Sequence, residues 1–322
     1  MNQNIKITLK IVLPLLLGVF LVWYSLQDVP LSIIVEYWNK ANKSWIFLGV
    51  FLGLLSHLSR AYRWRFQLEP MGFNIKFGNS MMAVFATYLI NYTIPRAGEV
   101  ARASILTNYE NVPFEKGMGT IVSERIADLL VMVGIIIITL FLQFDFIYGF
   151  FIQKFNPVKI IIALMVMLVF VFISSKYIKK SKSNFALKIR TFISGLIEGA
   201  LSIFKMKKKG PFIFHTLFIW AMYLLMFYVT ALAIEDLDGI SAGAILIGFI
   251  SASFSIAATN GGIGSYPIAV FAAFSIFGID KDPSYAFGWI MWASQTLMII
   301  IFGCFSLIYL PIYNRKKRLE AE

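Results

Sequence analysis

The sequence has little charge, one cysteine and two histidines. Asp, Glu, Lys and Arg account for 14% of its 322 residues, Cys304 is the single cysteine, and the histidines are His57 and His215. One cysteine excludes an intramolecular disulfide, and two isolated histidines do not have the spacing of metal ligands. The sequence also contains no Walker loop, zinc-protease helix or nucleophile elbow. We therefore expect neither a catalytic centre nor a bound metal or cofactor.

Apolar residues dominate the chain. Hydrophobic residues make up 59% of it and aromatic residues 16%, which is far above the usage of soluble proteins. Two apolar regions, about 79–107 and 240–278, are interrupted by Gly and Pro. Apolar runs long enough to cross a bilayer, which takes roughly 17 to 25 residues, lie at about 8–26, 45–62, 117–143, 158–175, 211–234 and 284–311. The pattern predicts an all-α, polytopic membrane protein with about six full spans.

The formal net charge is +12 at pH 7, and the basic residues cluster beside the apolar runs. If the N-terminus is cytoplasmic, the loops rich in Lys and Arg fall inside and most acidic loops fall outside, as the positive-inside rule requires. No basic face with stacking aromatics lies outside the apolar runs, so we expect no nucleic-acid partner. The charges therefore predict a multi-pass protein of the cell (inner) membrane with cytoplasmic N- and C-termini.

This topology requires both interrupted regions to return to the side from which they enter, as re-entrant pairs of half-helices. The order of two spans, a re-entrant pair and a third span then repeats from the opposite face. We predict one membrane domain, residues 1–322, built as an inverted repeat with halves at about 1–145 and 146–322. Such repeats, with broken helices meeting near the midplane, are typical of secondary transporters. If residues 240–258 cross the membrane alone, this symmetry is lost.

The first interruption carries three charges within the apolar region. Pro95 suits the first turn of a half-helix, and Arg96, Glu99 and Arg102 follow at intervals of three, on one helical face. Two guanidiniums partly neutralised by one carboxylate would form a receptor of phosphate size. Alternatively, Glu99 neutralises the two arginines in a structural ion-pair network.

The predicted third span also contains charged residues. Glu124 and Asp128 lie one helical turn apart, and Arg125 is spaced to pair with Asp128. These groups could neutralise charges of the first re-entrant pair. A carboxylate with a pKa raised by burial could instead carry a coupling proton.

The second interruption is rich in glycine. Asn260, Gly261, Gly262 and Gly264 let the chain turn sharply before a second half-helix. The free N–H groups at the start of that half-helix would attract an anion. Tight packing against the first re-entrant pair explains the glycines equally well.

Three arginines end the predicted second span. Arg60, Arg63 and Arg65 alternate with aromatic residues, which is typical of an interfacial belt. The sharper alternative is that Arg60 and its neighbours bind a lipid headgroup at the entrance to a polar cavity.

Four motifs in this order resemble the lysylphosphatidylglycerol synthase transmembrane-region family, which comprises flippase-like membrane proteins of bacteria and archaea. They are the turn at residues 59–64, the segment 95–99, Ser123-Glu124-Arg125 with Asp128, and the late segment 261–264. The resemblance covers about residues 8–311 and implies movement of lipids with polar headgroups between leaflets. Relatives commonly have Pro-Gly-Gly at the second break, where this chain has Asn260 before the glycines, and this difference bears on the identity of the substrate.

Bifunctional members of that family add a large soluble aminoacyltransferase domain after the membrane region. This sequence stops eleven residues after Pro311. We therefore expect no synthesis of lysyl lipid by this polypeptide and predict that it is not an enzyme.

The leading hypothesis is a flippase in which the residues named above bind a membrane phospholipid or a polyprenyl-phosphate lipid. One alternative is an inverted-repeat transporter of a small anion or amino acid. A second is a non-transporting partner of a lipid-modifying enzyme. The sequence leaves open whether the chain forms a homo-oligomer.

Overall fold

The computed structural model describes residues 3–94, 96–154 and 206–315, together with part of the segment between 162 and 203. These residues form helices and no strands, which confirms the all-α prediction. The chain divides into two compact units, one of residues 1–121 and 207–322 and the other of residues 122–206. The predicted division at about residue 145 stays a prediction.

Within residues 3–94, 96–154 and 206–315, most consecutive helices are connected by short turns. In chain order they are α1 (Gln3–Asp28), α2 (Leu31–Lys40), α3 (Lys43–Leu68), α4 (Phe77–Thr93), α5 (Ala97–Glu110), α6 (Phe114–Leu142), α7 (Phe144–Lys154), α8 (Lys209–Ala231), α9 (Ala242–Ala258), α10 (Ser265–Ser275) and α11 (Lys281–Tyr313). Asn42 caps α3 by accepting a hydrogen bond from the Ser44 N–H at 3.0 Å, and Ser241 caps α9 through the Ala244 N–H at 3.1 Å. Such caps satisfy amide groups that have no partner within the helix.

Four segments of the described residues are long and apolar enough to cross a membrane. They are Lys43–Met71, Phe114–Leu142, Lys209–Ala231 and Lys281–Tyr313, and they match the predicted runs at 45–62, 117–143, 211–234 and 284–311. The predicted run at 158–175 lies largely outside the described residues, so the count of six spans stays a prediction.

The first predicted run, at 8–26, lies within α1, and a second, short helix follows two residues after α1 ends. Leu16–Asp28 and Leu31–Lys40 form a bent pair with an angle of 76° between its halves. Pro30 immediately precedes the second half, and proline favours the first turn of a new helix over the continuation of an old one. The sequence prediction contained no helix at α2.

Both interrupted regions fold as antiparallel helical hairpins, α4 with α5 and α9 with α10. In the first hairpin, Asn79 near the start of α4 donates to Glu110 at the end of α5 at 2.5 Å. In the second, the Ser255 and Ser265 hydroxyls are 2.7 Å apart, and Gly248 lies against the ring of Phe274. Residues 242–258 thus form one arm of a hairpin. The relation of the two halves by inverted symmetry stays a prediction.

The core of the larger unit lies where α3, α4, α8 and α11 pack together. Gly49 and Gly53 of α3 allow this close approach, because a Cβ at either position would overlap side-chain atoms of Thr230 or Gln295. The C-terminal end of α11 is joined to the start of α4 by a reciprocal amide pair. Asn79 donates to Asn314 at 2.9 Å, and Asn314 donates to Asn79 at 2.7 Å.

Candidate functional site

The first break consists of an unwound turn between α4 and α5. Arg96 is exposed and adopts a left-handed conformation with φ 61°, so it caps α5 from outside the helix. Glu99 and Arg102 lie one turn apart within α5. The predicted row of three charges on one helical face is therefore reduced to these two. Pro95 lies outside the described residues.

The tip of this hairpin is closed by side chains of α4. Asn91 accepts a hydrogen bond from the Gly98 N–H at 2.8 Å and donates to Glu99 at 3.3 Å. The Thr87 hydroxyl donates to the Gly98 carbonyl at 3.1 Å. A Cβ on Gly98 would overlap the Thr87 carbonyl oxygen, so glycine is required for the two arms to approach this closely. The hairpin orients Glu99 toward α4.

Arg102 is buried and stacks on an aromatic ring. Its exposure is 2%, and its guanidinium carbon lies 3.7 Å from the centre of the Trp64 ring. The Trp64 indole is itself fully buried and donates to the Thr120 hydroxyl at 2.8 Å. An aromatic face attracts a guanidinium that lies over it. Arg102 is therefore a buried cation placed on the Trp64 ring.

Two arginines of α3 are buried as well. Arg60 and Arg63 have exposures of 3% and 0%. Arg63 donates to the Thr216 hydroxyl at 2.7 Å and lies over the Phe212 ring, and Arg60 shares a hydrogen-bonding cluster with Tyr223. They occupy the face of α3 that packs on α8, so the interfacial-belt interpretation does not apply to them.

Arg65 does lie at the surface. Its side chain is 39% exposed and forms an ion pair with Glu69 at 2.9 Å. Lys208 also contacts Glu69. Arg65 therefore fits the belt interpretation.

The second break contains left-handed glycines packed against other helices. Gly261, Gly262 and Gly264 have φ of 64°, 79° and 69°. Gly261 lies against the ring of Tyr92 in α4, and its carbonyl accepts a hydrogen bond from the Trp292 indole at 2.7 Å. Tyr92 is the next-to-last residue of α4, immediately before the first break, so this contact brings the two hairpin tips together.

Polar groups surround this meeting point. The Tyr92 hydroxyl lies 3.0 Å from the Thr296 hydroxyl, and Ser265 is within 2.9 Å of the Thr259 hydroxyl. Asn260 is buried with an exposure of 7%, and its amide nitrogen has no hydrogen-bond partner in the described part of the chain. The tips therefore enclose hydrogen-bonding groups within an otherwise apolar protein.

Glu124, Arg125 and Asp128 belong to the smaller unit. Glu124 and Asp128 are buried, with exposures of 1% and 7%, and Arg125 is exposed. The two carboxylates therefore share the buried side of α6, as their spacing of four residues predicts.

Sequence reasoning missed several residues of the larger unit. His57 is buried with its ring centre 4.6 Å from that of Tyr88, and Tyr92, Trp292 and Thr296 lie at the meeting of the tips. Polar atoms within an apolar run are the available signal for these residues. Their partners lie outside their own helices, 31 positions away for His57 and Trp292 and 204 positions away for the pair of Tyr92 and Thr296. A pattern within one helix cannot identify such partners. Among the described residues, no three His, Cys, Asp or Glu side chains are grouped to hold a metal ion.

The sequence of this chain is similar to those of known proteins. The family described as "Lysylphosphatidylglycerol synthase TM region" matches residues 11–303. A UPF0104 membrane protein of Methanocaldococcus jannaschii is 25% identical over 312 residues, which cover 88% of this chain and 90% of that protein. The glycosyltransferase AglD of Haloferax volcanii is 27% identical over 126 residues, covering 39% of this chain and 20% of that protein.

The family match extends from α1 to the last third of α11 and includes both breaks and all the candidate site residues. The chain is therefore an integral membrane protein that belongs to the lysylphosphatidylglycerol synthase transmembrane-region family.

Proposed function

We propose that this protein moves a phosphate-bearing lipid headgroup between the two leaflets of a membrane. The observation that carries the proposal is the contact of Tyr92 with Gly261, which joins the tips of two broken hairpins. Broken helices that meet inside a membrane protein are the usual setting of a transport site, because irregular backbone is tolerated there only beside protein or a wet cavity. The headgroup would pass beside these tips while its acyl chains stay in the bilayer.

The buried arginines supply the chemistry that such a route requires. Arg60, Arg63 and Arg102 are nearly or fully buried in helices of an apolar protein. Charge at membrane depth is costly and is characteristic of functional sites. A guanidinium binds phosphate through two parallel N–H groups, and the guanidinium of Arg102 lies over the Trp64 ring. We assign Arg102 and Arg96 to the phosphate, with Glu99 limiting the net positive charge.

The remaining predicted residues take supporting roles in this proposal. Asn260 would donate its unpartnered amide N–H to the headgroup, and the glycines at 261, 262 and 264 would give the backbone its close approach. Glu124 and Asp128, a buried carboxylate pair of the smaller unit, would carry a coupling proton. The substrate class is a phospholipid or a polyprenyl-phosphate lipid.

Transport by purified protein in liposomes tests the proposal. Phosphatidylglycerol with a fluorescent headgroup is placed in the outer leaflet, and its movement inward is followed as protection from a membrane-impermeant quencher. Arg102→Ala and Arg96→Ala should each slow the movement by about tenfold or more, the effect of losing ~1.4 kcal/mol of binding at the rate-limiting state. Arg102→Lys keeps the charge but loses the planar group over Trp64, so its transport rate should lie between those of wild type and Arg102→Ala.

Arg65→Ala is the matched control, because this arginine also lies on a membrane helix but forms a partly exposed pair with Glu69. It should transport at the wild-type rate. Equal rates in wild type, Arg96→Ala and Arg102→Ala would remove both arginines from the mechanism.

A second candidate is a non-transporting partner of a lipid-modifying enzyme. The similarity of 126 residues to one-fifth of a glycosyltransferase supports it, because it associates this type of membrane segment with an enzyme. A stoichiometric enzyme that co-purifies with the chain, together with no lipid movement in liposomes, would favour this candidate over the flippase.

A further inference from the structure

A groove with a volume of about 340 Å³ lies between α1, α2 and α11. Its lining is apolar throughout and includes Leu26 of α1, Ile34 and Trp38 of α2, and Trp289 and Ala293 of α11. The bend of 76° between the two halves of the α1–α2 pair opens this space, because a straight continuation would carry α2 away from α11.

The outer edge of the groove is an exposed apolar stripe. Leu31, Val35 and Trp38 follow the helical repeat along α2 and are 60%, 47% and 43% exposed. The opposite side of α2 is connected to the turn before α9, since the Tyr37 hydroxyl donates to Asp236. The stripe therefore belongs to a fixed helix and faces out of the protein.

The groove extends to the depth of one leaflet. Lys281 at the start of α11 pairs with Asp28 at the end of α1 at 2.9 Å, so both helices leave the same membrane face together. At 1.5 Å per residue, the lining residues Val22 and Ala293 lie roughly 9 Å and 18 Å along their helices from this pair. Half of the hydrocarbon core of a bilayer is about 15 Å thick.

The deep end of the groove reaches the second break. The main chain at Val22, a lining residue, lies against Gly264. Trp292, adjacent to the lining residue Ala293, donates to the Gly261 carbonyl. A molecule that fills the groove would therefore run from the membrane surface to the hairpin tips.

A positive charge lies at the shallow end. The Lys43 ammonium is 4.7 Å from the centre of the Trp38 ring and donates to main-chain carbonyls of Trp38 and Ala41. Within the described ranges its hydrogen bonds go to these carbonyls and not to a carboxylate, whereas the nearby Lys40 is paired with Glu36. An anionic group beside Trp38 would be bound by Lys43.

We infer that this groove holds one acyl chain of a glycerophospholipid whose phosphate is bound by Lys43. The inference rests on the proposed function and adds to it the place of the lipid: one acyl chain stays in the groove while the headgroup reaches or leaves the second break. The apolar lining matches an acyl chain, and the depth of the groove matches the thickness of one leaflet. The Lys43 cation at the mouth matches the phosphate.

The test uses phosphatidylglycerol with a photoreactive diazirine near the end of one acyl chain, in phosphatidylcholine liposomes that contain the full-length protein. After irradiation, labelled peptides are identified by mass spectrometry. We expect label on α1, α2 and α11 at the groove. Ala293→Phe fills the deep end and should lower this labelling about tenfold, and Lys43→Gln should lower it by about threefold, the effect of an exposed ion pair.

Leu297→Phe is the matched control, because Leu297 lies one turn further along α11, is 58% exposed and does not line the groove. It should label like wild type. Label spread evenly over all lipid-facing helices, and unchanged in Ala293→Phe, would overturn the inference. So would efficient disulfide cross-linking between two copies that carry Val35→Cys, because a second protein chain would then cover the groove.

Labelling and transport separate the two proposals. A groove that is labelled in a protein unable to move lipid supports the inference as a binding site and refutes the proposed function. Transport that is lost in Arg102→Ala, with wild-type groove labelling, supports both.

Discussion

Arg102 illustrates how single residues adapt to an apolar protein. Its guanidinium lies against Trp64, which replaces part of the hydration lost on burial by an attraction to the ring. The sequence identifies Arg102 as unusual, because it is a charged residue within an apolar region. It does not predict the partner, because Trp64 is on another helix.

We expect Gly261→Ala to destabilise the protein by more than the free-energy cost of placing alanine in a left-handed backbone conformation. An L-residue at φ 64° costs about 1–2 kcal/mol, and the added methyl group would overlap Tyr92, for about 1–3 kcal/mol more. Gly239→Ala is the control, because Gly239 has φ 72° with no atom near its Cβ position. Thermal unfolding in detergent, followed by tryptophan fluorescence, measures both.

When Tyr92→Ala is added to Gly261→Ala, the double variant should regain part of the lost stability. The second substitution removes the overlap with the ring but not the backbone strain at position 261. Equal destabilisation by the alanine at positions 261 and 239 would contradict the contact between the hairpin tips.

At the scale of elements, the sequence predicts well how long the membrane helices are and where the helical hairpins turn. Apolar runs give both ends of α6, α8 and α11 to within about three residues and those of α3 to within six. Gly and Pro indicate the place of both hairpin turns. These features depend on local composition and on backbone restrictions at single positions. The α2 helix is missed because it lies after Pro30 and is only ten residues long, which is too short for a search based on membrane-spanning runs.

The sequence of a single helix does not predict which of its charged residues are buried. Arg60 and Arg65 lie five residues apart on α3, yet Arg60 is buried and the Arg65 side chain is 39% exposed. The difference is set by α8, which packs along α3 and covers the face of Arg60. That helix begins 141 positions after α3 ends, counting from Leu68 to Lys209.

Gly98→Ala should weaken the first hairpin by about 1–3 kcal/mol, because its methyl group would overlap the Thr87 carbonyl oxygen. Gly119→Ala is the matched control on α6, where a Cβ meets nothing within 4 Å. It should stabilise the helix by about 0.5–1 kcal/mol. Reversible unfolding in detergent mixtures measures both free energies, and a shift of the same sign in the two variants would refute the tight crossing of α4 and α5.

At the scale of the whole molecule, the larger unit is assembled from the two ends of the sequence. The amide pair of Asn79 and Asn314 joins residues 235 positions apart and is buried on both sides. Neither residue stands out in the sequence, because an asparagine near a helix end is ordinarily interpreted as a local cap. Only the fold identifies them as partners.

A double-mutant cycle tests this connection. Asn79→Ala and Asn314→Ala should each cost about 1–3 kcal/mol, because each leaves a buried amide without its partner. The double variant should cost less than the sum of the two, with a coupling of about 0.5–3 kcal/mol. Thermal unfolding of the four proteins gives the coupling, and strict additivity would mean that the pair does not form.

The pairing of α3 with α8 also has a consequence for biosynthesis. Thr216, which accepts a hydrogen bond from Arg63, follows it by 153 residues. At translation rates of about 5–20 residues per second, α8 emerges roughly 8 to 30 seconds after α3. During this interval the nascent chain presents two arginines of α3 before their eventual neighbour exists. Shelter by the insertion machinery, or a delay in releasing α3 into lipid, would therefore be a requirement of making this protein.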